Sequence, residues 1–217
     1  MQTRCTISGV AYDRPMADAD SDAKGARGTG GAGSAEGTDG ADTGRDEGAL
    51  SRARGIVEQA LSEAELEWES PGEGTYVVTL PGTRKLSTTC SLAVGRHSLS
   101  VNAFVVRRPD ENHAAVHRWL LERNTRLFGV SYALDKLGDI YLTGRLPLSA
   151  VTPEEVDRLL GAVLENADGA FNTLLEMGFA SAIRREYDWR TSRGESTRNL
   201  DAFTHLTGGT PDGGKRG

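Results

Sequence analysis

The chain has only two cysteines in 217 residues, Cys5 and Cys90, too few to staple a small domain with disulfides. It has no run approaching the ~18 consecutive apolar residues that a membrane-crossing helix needs. It has no excess of basic residues either. The formal net charge is −6, which argues against a dedicated nucleic-acid binder, since such proteins carry a basic patch or stripe. Proline is scarce at 7 residues and aromatics make up 6%, whereas glycine is abundant at 27. The apolar share is 37% without glycine, below that of a fully folded domain, so part of the chain is expected to stay out of any core.

The composition places that part at the two ends. Residues 25–48 read GARGTGGAGSAEGTDGADTGRDEG, with no aromatic or branched aliphatic side chain. Such a stretch cannot offset roughly 1–2 kcal/mol of backbone entropy per residue, so residues 1–48 are expected to form a disordered, acidic, glycine-rich tail. The glycines do not make a phosphate loop, because neither the Gly-Lys-Ser/Thr ending nor a preceding apolar strand is present. The opening MQTRCTISGVAYDRPM lacks the apolar centre and cleavage site of a secretory signal. MADADSDAKG reads as an ordinary start, so Met16 is the expected initiator. Residues 191–217 are again polar and glycine-rich and read as a flexible tail. The folded domain is expected over residues 49–190, a length that buries roughly 70% of its unfolded surface without metal or disulfide.

Inside that domain the apolar period alternates between helical and extended. Leu50, Ala53, Val57, Ala60, Leu61 and Ala64 recur at spacings of three and four and predict a helix over about 49–66, stopped by Pro71, Gly72 and Gly74. The period then becomes two. Tyr76, Val78 and Leu80, then Cys90, Leu92 and Val94, then Leu99, Val101, Ala103 and Val105 predict three antiparallel strands. A second helix is expected over about 111–127, then a hairpin turning at residues 135–138, then a long helix opening at Thr152-Pro153 with a capping box to Glu155. Gly161, Gly169 and Gly178 mark places where that last helix can bend. The order α-β-β-β-α-β-β-α gives an α+β two-layer sandwich, a five-stranded, mainly antiparallel sheet with helices mostly on one face.

Candidate chemistry is thin. His113 and His117 stand four apart on the second helix, the spacing of a helical metal pair, with Asp110 the only acid close by. That incomplete ligand set favours exposed surface residues over a metal site. Cys90 falls on the apolar face of its strand and reads as a buried, inert thiol. Asp135 and Asp139 flank the hairpin tip and read as turn formers. Phe104 and Tyr141 sit on strand faces opposite the apolar rows, and Phe128 lies at a helix end, so these aromatics are candidates for a partner surface.

The block HRWLLERNTRLFGVSYALDKLGDIYLTGRLPLSAVTPEEVDRLLGAVLENADGAFNTLLEMGFASAIRREYDWR, with the preceding strands, resembles the YbjN-domain family in its actinobacterial form. That family is similar in fold to type III secretion system chaperones, and the likeness covers about residues 50–190. It implies a cytoplasmic, non-enzymatic protein that binds another protein, as a chaperone-like molecule or a sensory transduction regulator, and that forms a homodimer. No cofactor, nucleic-acid partner or membrane partner is expected, the last two from the acidic charge and the lack of a long apolar run. Trp119, Phe128, Tyr132 and Tyr141 are the expected partner or dimer contacts. The rival expectation is a small metal-dependent enzyme built on the His113/His117 pair.

Overall fold

The computed structural model describes residues 39–208, with side chains described from residue 47. Helix α1 (Asp39–Glu63) leads into β1 (Glu67–Gly72), β2 (Thr75–Pro81), β3 (Ser87–Val94) and β4 (Ser98–Val106). Helix α2 (His113–Asn124) follows, then the hairpin β5 (Ser131–Leu134) and β6 (Ile140–Pro147). The long helix α3 (Pro153–Arg193) and the short α4 (Thr204–Thr207) complete the order, with 3-10 turns at Leu148–Ala150 and Arg198–Phe203.

The period-two rows produce the sheet. Tyr76, Val78 and Leu80 of β2 are buried, as are Cys90, Leu92 and Val94 of β3 and Leu99, Val101, Ala103 and Val105 of β4. Cross-strand pairs such as Tyr76–Leu92, Leu92–Val101 and Ala103–Leu142 keep these rows on one face, because a one-residue slip would turn each row to water. Ala53, Val57, Ala60 and Leu61 of α1, Val116 and Leu120 of α2, and the α3 stripe from Val156 to Ile183 join the same core. The α+β two-layer arrangement expected from the periodicity is therefore present.

The sheet has six strands, not five, in the order β1-β2-β3-β4-β6-β5, all neighbours antiparallel. The additional strand is β1, EWESPG, in which every residue is exposed. It shows no apolar alternation because Trp68, edge-on to Tyr76 at 5.7 Å, is its one large apolar side chain. Pairing with β2 alone defines it, and its acids and Pro71 suit an edge that must not recruit another strand.

Helix α3 begins as expected: Thr152 Oγ1 accepts the Glu155 N–H at 3.3 Å, and Pro153 occupies the first turn, where no donor is lost. The Glu155 carboxylate, however, pairs with Arg158. The helix breaks at Phe179 (φ −142, ψ 16), directly after Gly178, one of the three glycines expected to permit a bend.

Both tail boundaries need correction. Helix α1 already starts at Asp39, inside the stretch expected to be a tail. Beyond residue 190 the chain does not run free either: α3 continues to Arg193, Gly194 ends it with φ 66, and Leu200 and Phe203 return to the core. Two apolar residues on a 3-10 turn make no periodic pattern, which is why the sequence hides them. Residues 1–38 and 209–217, with Met16 and Cys5, lie outside the described residues.

Candidate functional site

The segment between β4 and α2 is bolted to the break in α3. The Gly178 carbonyl accepts the N–H groups of Asp110 (2.9 Å) and Glu111 (3.2 Å), and the Met177 carbonyl accepts Asn112 Nδ2 (2.9 Å). In return the Glu111 carboxylate accepts the N–H (2.7 Å) and hydroxyl (3.0 Å) of Ser181, and these bonds hold its carboxyl below the usual range. Helix hydrogen bonds lost at the kink are thus replaced from a neighbouring loop. Asn112 takes a left-handed conformation (φ 55), and α2 starts without a side-chain cap.

This joint sets the first turns of α2 beside the tip of the β5–β6 hairpin. A groove of about 280 Å³ opens between them, lined by Arg108, His113, His117, Leu134, Lys136 and Leu137, with Asp135 and Gly138 at the turn. Asp135 Oδ1 accepts the N–H groups of Leu137 and Asp139, each at 2.8 Å, which is the turn-forming role expected of it. The Asp139 carboxylate is buried and accepts the Arg108 N–H at 2.7 Å. His113 donates from Nε2 to the Pro109 carbonyl at 2.7 Å, and its ring centroid lies 6.3 Å from that of His117.

A metal site does not assemble here. Asp110, the expected third ligand, is held by Arg107 through two bonds of 2.6 and 2.9 Å, and that pairing keeps its carboxyl below the usual range. Among the described residues no group of three or more His, Cys, Asp or Glu side chains could hold a metal ion. The helical pair lines the groove.

The four expected contact residues divide into two kinds. Phe128 is 74% exposed at the end of the α2 segment. Trp119 is half-buried, its ring 6.1 Å from that of Tyr132 and covered by the Arg123 guanidinium at 5.5 Å. Tyr132, by contrast, is buried: its hydroxyl donates to the Asn166 carbonyl at 2.9 Å, and burial pushes its pKa up to about 12. Alternation in β5 places it with Leu142 on the core face, so it supports α2 from beneath. Tyr141 does lie on the opposite face, but it is 9% exposed, edge-on to Phe104 at 5.5 Å.

Sequence reasoning missed three exposed leucines that surround Phe128 in the chain: Leu121, Leu134 and Leu137. It also missed Asn124. The Asn124 side chain accepts the Tyr132 N–H (2.8 Å) and donates to the Tyr132 carbonyl (3.2 Å). In an antiparallel pair alternate residues turn both backbone groups away from the partner strand, and Tyr132 is such a residue on edge strand β5. A side-chain amide therefore stands where a seventh strand would pair.

Cys90 is fully buried, and burial pushes its thiol up to about 12, as expected of an inert core cysteine. In a Cys5→Ser variant, a thiol-disulfide reagent is expected to find no reactive thiol in the native protein and one after denaturation. Rapid native reaction would show that the core opens. Lys85 is more unusual. Its ammonium donates to the Phe104 carbonyl and lies 5.1 Å from that ring, and burial lowers its pKa to about 8.

The elements and their packing define a class before any name: an α+β body whose described helices cover one face of an open antiparallel sheet. The chain belongs to the YbjN family, described as "Putative bacterial sensory transduction regulator", which matches residues 53–176. An uncharacterized protein of Mycobacterium leprae (strain TN) is 53% identical over 163 residues, covering 73% of this chain and 89% of that one. An uncharacterized protein of Mycobacterium bovis is 52% identical over the same length and shares. Among solved structures, the ExsC–ExsE complex is similar at a TM-score of 0.44 and 17% identity, covering 57% of this chain and 93% of that one. The Yersinia pestis type III secretion chaperone SycH, bound to a stable fragment of YscM2, is similar at 0.41 and 19%, covering 53% and 96%. No described helix is long and apolar enough to cross a membrane.

Proposed function

We propose that the chain is a non-enzymatic protein-interaction module of the cytoplasm, chaperone-like or regulatory, which binds another protein through the surface built by α2 and the β5–β6 hairpin. One observation carries this reading. Of seven exposed large hydrophobic side chains among the described residues, Leu121 (68%), Phe128 (74%), Leu134 (44%) and Leu137 (61%) come from this single stretch of chain. Scattered exposed leucines are ordinary, whereas exposed apolar groups gathered into one patch mark a contact surface, and these four are assigned to such a patch, with Leu134 and Leu137 sharing the groove lining. Trp119 flanks it, and Tyr132 and Tyr141 stiffen the strands beneath. With β5 closed by Asn124, recognition here runs through side chains and not through an added strand.

The test is the double variant Leu121→Ser/Phe128→Ser. Both side chains are exposed, so its thermal midpoint is expected within a few degrees of wild type. Light scattering should show wild-type self-association, or affinity purification from the native host a retained partner, that the variant loses. A wild type that stays monomeric, with the same co-purifying proteins in both forms, overturns the assignment.

A further inference from the structure

We infer that the groove between α2 and the hairpin tip receives an acidic, leucine-bearing segment of the partner protein. Its carboxylates would meet Arg108 and Lys136, and an aliphatic side chain would rest on Leu134 and Leu137. The inference rests on the preceding reading and specifies the chemistry of the bound segment.

Among the lining residues the cations Arg108 and Lys136 outnumber the one carboxylate, Asp135. Arg54, Arg107, Arg118, Arg158 and Arg190 each have a carboxylate partner, whereas no described carboxylate pairs with the Arg108 guanidinium or the Lys136 ammonium. The nearby acids are already engaged. Asp135 Oδ1 is turned into the hairpin by two N–H donors, Asp139 is buried on the Arg108 N–H, and Asp110 belongs to Arg107. Two cations, two imidazoles and the inward-bonded Asp135 carboxylate thus line a pocket in a protein of net charge −6. The carboxylates here are turned onto backbone N–H groups while the Arg108 and Lys136 heads are left to meet an incoming anion.

Placement of Arg108 is built and not incidental. Its aliphatic stem lies across Gly138, where an added Cβ would come within 3.2 Å of it, and Gly138 itself has φ 87. The residue without a side chain lets the stem lie flat on the turn. The two leucines on the same rim discriminate among anions. A free phosphate has no use for them, whereas an extended peptide alternating acidic and aliphatic side chains satisfies both kinds of group at once. A volume of about 280 Å³ fits side chains and no folded element.

The test titrates an acetylated, amidated hexapeptide, Leu-Asp-Glu-Leu-Asp-Glu, into the full-length, isotope-labelled protein and follows its backbone amides. Saturable shifts are expected at His113, His117 and residues 134–138. Affinity should fall by about ten-fold between low and several-hundred-millimolar salt, since exposed charges are screened over a Debye length. Lys136→Glu should weaken binding several-fold, and Arg108→Glu/Lys136→Glu should abolish it. Lys136 is an exposed hairpin residue, so the single variant gives a readout even if the double variant folds poorly. Equal binding of the Ser/Gln analogue of the peptide would overturn the acidic assignment and leave an apolar contact surface standing. Absence of any shift at the groove would overturn the inference alone, provided Leu121→Ser/Phe128→Ser still disrupts the protein's own associations.

Discussion

Replacing Asp168 by alanine is expected to lower the unfolding free energy by about 2–3 kcal/mol and the thermal midpoint by roughly 5–10 °C. Asp168 lies in the middle of α3, where a carboxylate earns no helix-terminal advantage. Its Oδ1 accepts three consecutive backbone N–H groups, from Thr83 (2.8 Å), Arg84 (2.7 Å) and Lys85 (2.9 Å). Its Oδ2 accepts the Thr83 hydroxyl at 2.8 Å. One side chain thus ties the β2–β3 turn to the helix layer across more than eighty residues of sequence. Charge-assisted bonds of this kind contribute about 1.5–3 kcal/mol each when dry. The turn is mostly exposed, so water replaces part of that, and the expected loss is nearer one such bond than four. Asp168→Asn should lose less than Asp168→Ala, because an amide oxygen still accepts from the turn.

The same site gives a pH signature. Burial raises the Asp168 pKa, but the N–H groups of Lys85, Arg84 and Thr83 and the Thr83 hydroxyl outweigh it, so the net direction is down. A carboxyl whose folded pKa is depressed contributes stability that is complete above its unfolded pKa and is lost as pH falls through the folded one. The wild-type advantage over Asp168→Ala in urea melts should therefore be constant at neutral pH and shrink below the ordinary carboxylate range near 4. An advantage that grew on acidification would contradict the arrangement.

Legibility followed burial. The rows Tyr76–Leu80, Cys90–Val94 and Leu99–Val105 each put one face in the core, so their period was visible and the strands could be placed from sequence. Strand β1 has no buried residue, only Trp68 leaning on Tyr76, and left no period to read. Leu200 and Phe203 return to the core from an irregular turn, where apolar spacing has no template. Tyr132 was legible in principle, since Val130 and Tyr132 alternate onto the core face together, yet its aromatic character suggested a contact role. The groove depends on pairing. Residues 134–138 meet His113 and His117 only because β6 inserts between β4 and β5 and carries the hairpin tip back toward the start of α2. Neither the Asp168 clamp nor the Asn124 edge cap has a sequence signature, because each is one polar side chain bonding to the backbone of another element, 83–85 residues away for Asp168 and eight for Asn124.

Alanine at two glycines of the same helix should move stability in opposite directions. Gly161 is exposed within α3 with nothing within 4 Å of a Cβ built on it, so Gly161→Ala removes a helix-interior glycine and should stabilise by about 0.5–1 kcal/mol. Gly178 is buried at the kink, and its Cβ would stand 2.8 Å from the Cβ of Pro109. The obstacle is a ring carbon of a residue whose neighbours Asp110 and Glu111 are bonded to the Gly178 carbonyl, so it cannot swing aside without breaking those bonds. Forcing a methyl into such a contact costs about 1–3 kcal/mol, which exceeds the helix-propensity gain. The damage should also spread to function, because the displaced loop carries Arg108 and sets the start of α2. Gly178→Ala is therefore expected to disturb the amides of His113 and residues 134–138 as well as the melt, whereas Gly161→Ala leaves them in place. If both substitutions stabilised alike, the joint between the β4–α2 loop and the broken helix would not be what positions the contact surface.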